Sequence, residues 1–354
     1  MAIAVCAGPR WVPDRGMEFK PPTPLRYAVG RFGLYGLLCL WAVICVFPLY
    51  WLAVTAFKGP AQIDSPPTYL PFVDYAPTLE AWRFILGDRQ ESLIWRFVHS
   101  AEVAVGAGLL AVLTGAMALY GVTRFAPRLR WGSLICAGGA AGLFAMALVI
   151  PGMAMACWLG VGVLAALAVG LWQTGPVVGA AGLMGVLLVP RVLPPVVIVL
   201  PLYLAMRATG LHDTLVGLML VYAAINLPVA VWLLQPILGN RVTDQEEAAA
   251  LDGASHLKIF WGILLPMVRP GLVAVGLLVF LLGWNEYLFA VYLTADHALT
   301  LPPWMAGQLS LKEAQIGGEA EEWAHLSAAT LVMAFPALIF AAVTQRVFGR
   351  EAGR

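Results

Sequence analysis

The sequence predicts an all-α, polytopic transmembrane helical bundle of about eight helices. Of its 354 residues, 61% are hydrophobic and only 12% are charged, which is about half the charge content of soluble domains. Several uncharged apolar runs reach about 20 residues, the length that crosses a bilayer. The Lys and Arg residues also concentrate in alternate connecting segments, as they do when cytoplasmic loops carry the positive charge.

The same composition excludes several classes of protein. A soluble enzyme or a disordered chain of this size needs far more polar surface. The formal net charge of +1 provides no basic field, so no nucleic-acid partner is expected, and the main surrounding is membrane lipid. The 5 cysteines form no CxxC pair, and the histidines lack metal-ligand spacing. No metal site is therefore predicted.

The first part of the chain divides into four segments. Residues 1–31 form a basic, proline-containing tail that we expect in the cytoplasm. Residues 32–57 are the first predicted transmembrane helix, and the proline-rich segment 58–97 is predicted to be periplasmic. Residues 98–123 form the second predicted transmembrane helix.

A long uncharged stretch follows. Residues 133–190 contain no Asp, Glu, Lys, Arg or His, and as one helix they would be roughly 87 Å long. The hydrocarbon core is only about 30 Å thick, so the stretch must fold back. Turn signals at Pro151-Gly152 and at residues 173–176 offer places to do so. With the continuation to Met206, we expect three helices here.

Charge placement tests the number of crossings. Further spans are predicted at residues 214–237, 272–293 and 326–344. With both termini in the cytoplasm, fourteen of the 21 Lys and Arg residues lie in inner segments and six in outer ones, while Arg191 lies within a span. The excess of Lys and Arg on the inner side is obtained only if residues 133–175 cross the membrane an even number of times.

The inner segment 239–270 contains a short predicted helix. Thr243 and Glu246 form a capping box that starts it, and Gly253 ends or bends it. So short a helix is marginal alone and needs a packing partner. The small apolar face of residues 248–250 suits a cleft on another protein. The alternative is an ordinary interhelix turn on the membrane surface.

The residues of this segment carry a family resemblance. Glu247-Ala248-Ala249, then Gly253, Ile263 and Leu265-Pro266, resembles without a gap the EAA loop of binding-protein-dependent ABC importer permeases. Three further motifs are similar to the carbohydrate branch and its maltose-type second permease: Phe47-Pro48-Leu49-Tyr50-Trp51, Gly210-Leu211-His212-Asp213-Thr214 and Trp284-Asn285-Glu286-Tyr287-Leu288. One departure is His99-Ser100, where the family typically has Asn-Ser before the second span.

The resemblance covers about residues 30–130 and 186–350 and implies the fold of a type I ABC importer permease. Because such permeases usually have six core helices, residues 133–175 are interpreted as an inserted transmembrane hairpin. Residues 176–348 then hold the remaining core, with the cytoplasmic EAA coupling loop at residues 239–270.

The resemblance also implies a mechanism in which the EAA helix docks on a cytoplasmic ABC ATPase dimer. The implied ATPase-coupling residues are Glu246, Glu247, Ala248, Ala249, Gly253, Ile263, Leu265 and Pro266. Of these, Glu247 and Gly253 are central, and Glu246 is a neighbouring carboxylate that could share an Arg or Lys partner. None of the chain's lysines follows a glycine, so it has no phosphate-binding P-loop. We therefore expect ATP and Mg on the partner ATPase and no cofactor in this chain.

The other implied partners are a second, distinct permease subunit, forming a heterodimer, and a periplasmic or extracellular solute-binding protein. Residues 294–325 are a candidate contact with the latter. The expected activity is ATP-driven import of a sugar or related polyol across the bacterial inner membrane. The chain itself is not expected to be an enzyme, since the sequence contains no visible nucleophile, base and orienting group.

Polar residues within the spans are candidates for the translocation pathway, because charges in a membrane usually face a bundle interior or a water-filled path. Arg191 lies among prolines and has two possible roles. It either lines the pathway, or it has a structural role, capping free backbone carbonyls or pairing with a buried carboxylate such as Glu286 or Glu102. Asn285, Glu286 and Tyr287 either line the path or form interhelical hydrogen bonds.

Two rival functions remain open on the sequence alone. The first is a secondary transporter working alone, in which Arg191 and Glu286 would be the coupling charges. The second is an intramembrane enzyme or a membrane scaffold. The EAA resemblance argues against the former, and the missing catalytic constellation argues against the enzyme.

Overall fold

The computed structural model of the chain describes residues 24–63, 68–87, 93–125, 193–238, 243–310 and 319–351, together with single residues and short runs between 130 and 191. Every element in this part is a helix, apart from isolated bridge positions such as Pro71 with Tyr75. The all-α prediction is confirmed. The predicted hairpin at residues 133–175 lies mostly outside the described residues and stays a prediction.

The elements are numbered in chain order. They are α1 (Pro24–Thr55), α2 (Pro60–Ile63), α3 (Glu80–Gly87), α4 (Leu93–Phe125), α5 (Pro195–Thr209), α6 (Leu215–Leu238), α7 (Thr243–Leu251), α8 (His256–Met267), α9 (Arg269–Trp284), α10 (Leu288–Leu293), α11 (Leu301–Ser310) and α12 (Glu319–Glu351).

Four of the described helices, α1, α4, α6 and α12, are long and apolar enough to cross a membrane. Helices α8 and α9 pass the same test together, although the chain bends by 80° between them. Helix α5, with 15 residues, is a shorter apolar helix. The described part therefore contains several helices that could span a membrane, as a polytopic bundle requires.

The chain divides into two compact units, Met1–Leu52 and Ala53–Arg354. The first unit holds most of α1. This helix includes residues before the predicted start at residue 32 and begins at Pro24, a residue type that the first helical turn accommodates. The side chains of residues 31–51 are all exposed. Being apolar along this length, α1 has the surface of a membrane helix.

The second unit is built on three helices that pack against one another, α4, α6 and α9. Helix α4 begins before the predicted residue 98 because Leu93 and Ile94 continue the apolar pattern. Small residues bring the backbones of α4 and α9 together: a Cβ atom on Gly283 would lie 3.5 Å from the Cα atom of Ala104. Close packing of this kind fixes the helices relative to one another.

The span predicted at residues 272–293 is not one continuous helix. Helix α9 ends at Trp284, and α10 starts only at Leu288. The three residues between them are candidate pathway residues, so the interruption belongs to the functional site.

A single carboxylate joins the loop before α6 to the segment after α10. Asp213, at φ 56°, accepts N–H hydrogen bonds from Ala295, Asp296, His297 and Ala298 at 2.8, 3.3, 3.1 and 3.0 Å. Burial by itself raises the pKa of Asp213, but the four hydrogen bonds to the charged form outweigh it and hold the pKa below its ordinary value. The carboxylate thus fixes residues 294–301, named here the distal segment.

We expect Asp213→Asn to destabilise the protein by about 1–3 kcal/mol, since a neutral amide replaces a charged acceptor of four N–H groups. Asparagine tolerates the positive φ, so backbone strain does not add to the cost. Because the folded pKa is depressed, the contribution of Asp213 is present above the ordinary pKa of about 3.9 and is lost as pH falls through the lowered value. Thermal unfolding in detergent at pH 7 measures the change. The matched control is Asp296→Asn, an exposed carboxylate in the same segment, which we expect to leave the midpoint unchanged.

Candidate functional site

The candidate coupling site is the α7–α8 hairpin, and its turn is a Schellman motif. The N–H of Gly253 donates to Ala250 O and the N–H of Ala254 donates to Ala249 O, both at 3.0 Å. Gly253 has φ 79°, the left-handed conformation that this motif requires. The helix, Thr243–Leu251, thus stops before Gly253, as its sequence predicts. The predicted capping box is not among the described contacts, in which both carboxylate oxygens of Glu246 bind Arg124.

We expect Gly253→Ala to loosen this turn through backbone strain alone. Nothing lies within 4 Å of a Cβ atom built on Gly253, so the cost is the left-handed conformation, about 1–2 kcal/mol. Hydrogen-exchange protection of the α7 amides should fall roughly 5- to 30-fold. Gly253→Asn, which tolerates positive φ, should change protection much less. Equal protection in all three proteins would show that the turn is not held in this conformation.

Glu246 points into the protein rather than towards a partner. Its two carboxylate oxygens accept hydrogen bonds from Nε and Nη2 of Arg124, the last basic residue of α4, at 2.5 and 3.0 Å. Glu246 is only 7% exposed. The basic partner expected for Glu246 is thus Arg124 of the same chain, and the pair fixes α7 to the end of α4. A role of Glu246 in ATPase coupling stays a prediction.

Aromatic contacts also join the C-terminal end of α4 to α8. Phe125 packs edge-on against His256 with ring centroids 4.8 Å apart, and Tyr120 packs against Phe260 at 5.3 Å. The hydroxyl of Tyr120 also lies 3.5 Å from Nδ1 of His256. Bidentate charge pairing and ring packing together hold the hairpin in one orientation.

The opposite side of α7 is open. Glu247 and Ala248 are exposed, and Leu251 is 90% exposed. Positions 247 and 251 are four residues apart and so lie on one helix face. A large apolar side chain this exposed beside a carboxylate is typical of a surface that a protein partner covers.

The remaining EAA positions divide between the core and the surface. Leu265 is buried in the hydrophobic core, and the partly buried Ile263 packs against the same core. Pro266 is exposed and lacks an N–H, and before it the helix widens into a π-turn, in which the N–H of Leu265 donates to Phe260 O. Ile263 and Leu265 therefore anchor the hairpin and do not form its outer face.

The interruption between α9 and α10 is held by hydrogen bonds. Nδ2 of Asn285 donates to Leu281 O at 2.8 Å, and the carboxylate of Glu286 accepts the N–H of Phe289 at 3.3 Å. The hydroxyl of Tyr222 donates to Glu286 O at 3.3 Å. These contacts support a structural hydrogen-bonding role for Asn285 and Glu286.

Exposure separates the three residues at this interruption. Asn285 and Tyr287 are exposed, whereas Glu286 is half-buried. A span broken at membrane depth is tolerated mainly where it lines a cavity. Asn285 and Tyr287 therefore have accessible side chains at the interruption, whereas Glu286 is partly covered.

Arg191 contacts α6 rather than a carboxylate. Its Nη1 donates to Ile225 O at 3.3 Å and to Oδ1 of Asn226 at 3.4 Å. A pairing with Glu286 or Glu102 is not among its described contacts. The hydrogen bond to Ile225 O instead fits an arginine that caps a backbone carbonyl.

Among the described residues, no group of three or more His, Cys, Asp or Glu side chains could hold a metal ion. The prediction of no metal concerns the whole chain and stays a prediction.

The sequence profile described as binding-protein-dependent transport system inner membrane component matches residues 178–351. A protein of Streptomyces antibioticus that is provisionally named an ABC transporter permease is 34% identical over 163 residues, covering 46% of this chain and 68% of the relative. The chain belongs to this family. It is a transmembrane permease subunit of an ABC importer and a bacterial membrane protein, and permeases of this kind work with ATPase and binding-protein partners.

Two further comparisons extend along most of the permease. The diacetylchitobiose uptake system permease protein of Streptomyces coelicolor is 28% identical over 317 residues, covering 88% of this chain and 84% of that one. The crystal structure of a bacterial ABC transporter that imports the acidic polysaccharide alginate matches with a TM-score of 0.60 and 18% identity, covering 91% of this chain and 97% of that one. The structural likeness confirms the predicted fold.

Two residues of the site are not identified by sequence reasoning. In the charge pattern, Arg124 counts only as one of the inner positive charges. The available signal was its spacing: Arg124 follows Tyr120 by four residues, so both lie on one face of α4. Leu251 is not distinguished by its residue type, because leucine is common in helices. Nothing in the sequence pattern distinguishes its side chain as the exposed one, because α7 is too short for a clear apolar periodicity.

Proposed function

We propose that the permease moves a sugar or related polyol by alternating access, driven by ATP that a cytoplasmic ATPase dimer hydrolyses. The observation that carries this proposal is the open face of α7, where Glu247 and Ala248 lie beside the exposed Leu251. The carboxylate supplies one charged contact for an Arg or Lys of the ATPase, and the apolar residues supply buried area. ATP and Mg would be bound by that partner and not by this chain.

The substrate class rests on the carbohydrate-branch motifs and on the diacetylchitobiose relative. The exposed Tyr287 at the broken span is a candidate contact for a sugar, and Asn285 beside it offers further hydrogen-bonding groups. Arg191, held by α6, is a candidate for the same path. A neutral solute needs hydrogen bonds and apolar faces rather than a compensating charge, which the exposed Tyr and Asn supply.

The assembly we propose contains a second, distinct permease subunit, the ATPase dimer and an outer solute-binding protein. Both termini and the α7–α8 hairpin would lie in the cytoplasm, because that orientation places most Lys and Arg residues inside. The distal segment would then face the solute-binding protein. The chain itself would have no catalytic role.

Purification of the tagged chain in mild detergent, followed by identification of bound proteins and an ATP hydrolysis assay, tests this proposal. We expect an ATPase subunit and a second permease to co-purify and the complex to hydrolyse ATP. Recovery of the chain alone, with solute flux that follows an ion gradient and ignores ATP, would reject the proposal in favour of a secondary transporter.

A further inference from the structure

Helix α4 extends through the second unit without interruption. It runs from Leu93 to Phe125, 33 residues without an internal proline, which is about 50 Å at 1.5 Å per residue. One end reaches the α7–α8 hairpin, and the other reaches the distal segment. A single helix can transmit a displacement between two sites this far apart only if both of its ends are firmly attached.

The attachment at the α7 end is the pair of Arg124 and Glu246. Both hydrogen bonds of this pair join one guanidinium to one carboxylate, and the carboxylate is almost completely buried. Breaking a buried pair leaves an uncompensated charge, so this contact is costly to separate. The end of α4 therefore has to follow α7 when α7 moves.

The attachment at the other end joins α4 to the distal segment. The N–H of Leu301 donates to Oγ of Ser100 at 2.7 Å, and Ser100 is 3% exposed. Nη1 of Arg96 donates to Asp296 O at 2.8 Å. The same segment is held by Asp213, so its backbone is fixed from two sides.

Between its ends, α4 is packed too closely to slide independently. A Cβ atom on Gly108 would lie 3.6 Å from Gly276 O of α9, and Ala104 lies against Gly283. Ala107 and Ala111 are buried at 1% and 0% exposure. Interiors of this density transmit displacement rather than absorb it.

We propose that α4 is a connecting helix that transmits the position of α7 to the distal segment, so that the nucleotide state of the ATPase changes the exposure of that segment. Arg124, Glu246 and Ser100 act as its positioning residues. This inference rests on the proposed function, since it needs an ATPase docked on α7. It adds a specific path by which the two sides of the membrane are coupled.

The test is the reaction rate of one cysteine in the distal segment. His297, which is exposed, is replaced by cysteine in a permease whose 5 native cysteines are alanine, and the assembled complex is reacted with a fluorescent maleimide. The rate is compared between the nucleotide-free complex and the complex trapped with ATP and vanadate. We expect the two rates to differ by about fivefold or more, the lower end of typical coupling between sites.

In Glu246→Gln and in Ser100→Ala, we expect the two rates to become equal, and in Ser100→Ala basal ATP hydrolysis should continue. Each variant has a matched control that should keep the difference. Asp244→Asn neutralises an exposed carboxylate on the same helix α7. Thr114→Ala removes a hydroxyl of α4 whose described hydrogen bonds stay within its own helix, to Leu110 O and Ala111 O.

Retention of the rate difference in Ser100→Ala overturns the connecting role of α4, and it decides the question alone if Glu246→Gln does not assemble. A parental complex that hydrolyses ATP but shows equal rates also overturns it, while the importer function stands. Absence of any ATPase in the purified complex instead overturns the proposed function.

Discussion

Glu247→Arg is expected to abolish recovery of the ATPase with the permease while leaving the permease in the membrane. The exposed carboxylate of Glu247 stands beside Leu251 on the open face of α7. Reversing its charge places like charges together at the proposed interface, which costs several kcal/mol. Since each 1.4 kcal/mol is a factor of ten, recovery of the ATPase and ATP hydrolysis by the purified complex should fall at least about tenfold.

The matched control is Gln245→Arg, which adds a cation to the same short helix. Gln245 is also exposed, but two residues on a helix are separated by about 200°, so it faces away from Glu247. We expect near-normal recovery of the ATPase in this variant. Normal recovery with Glu247→Arg would reject the open face as the docking site, and equal losses in both variants would show that any added charge on α7 is harmful.

Prediction from the sequence succeeded where one local rule decides the outcome. The end of α7 follows from Gly253, because one residue in the left-handed conformation is enough to stop a helix there. The long apolar helices follow from the length of uncharged runs. Family and function followed from the ungapped spacing between Glu247 and Pro266, which the comparisons confirmed.

Prediction failed where a tertiary contact decides the role of a residue. Glu246 and Glu247 are adjacent and chemically identical, yet one is buried against Arg124 and the other is exposed. The partner of Glu246 lies 122 residues earlier in the chain, so no local pattern identifies it. Likewise, Asp213 lies in a motif visible in the sequence, but the four N–H groups whose hydrogen bonds it accepts belong to a different loop.

Gly217→Ala should destabilise the permease by about 2–4 kcal/mol and lower the yield of folded protein in the membrane. A Cβ atom on Gly217 would lie 2.3 Å from Leu211 O and 2.9 Å from Oγ1 of Thr214. Thr214 caps α6, because its hydroxyl oxygen accepts the N–H of Gly217 at 3.1 Å. The added methyl group therefore costs overpacking of about 1–3 kcal/mol, and the displaced cap adds about 1 kcal/mol.

The cost is high because the obstructing atom belongs to the backbone. Leu211 O cannot rotate away, and moving it displaces the loop in which Asp213 holds the distal segment. Gly106 provides the decisive comparison: its Cβ atom would lie 2.8 Å from Sδ of Met219, but a methionine side chain adapts by rotation. We expect thermal unfolding in detergent to show a large decrease for Gly217→Ala, a small one for Gly106→Ala, and none for Gly121→Ala, where nothing lies within 4 Å. Similar decreases for the first two would mean that the loop before α6 yields as easily as a methionine, and a loop that yields so easily could not hold the distal segment in place.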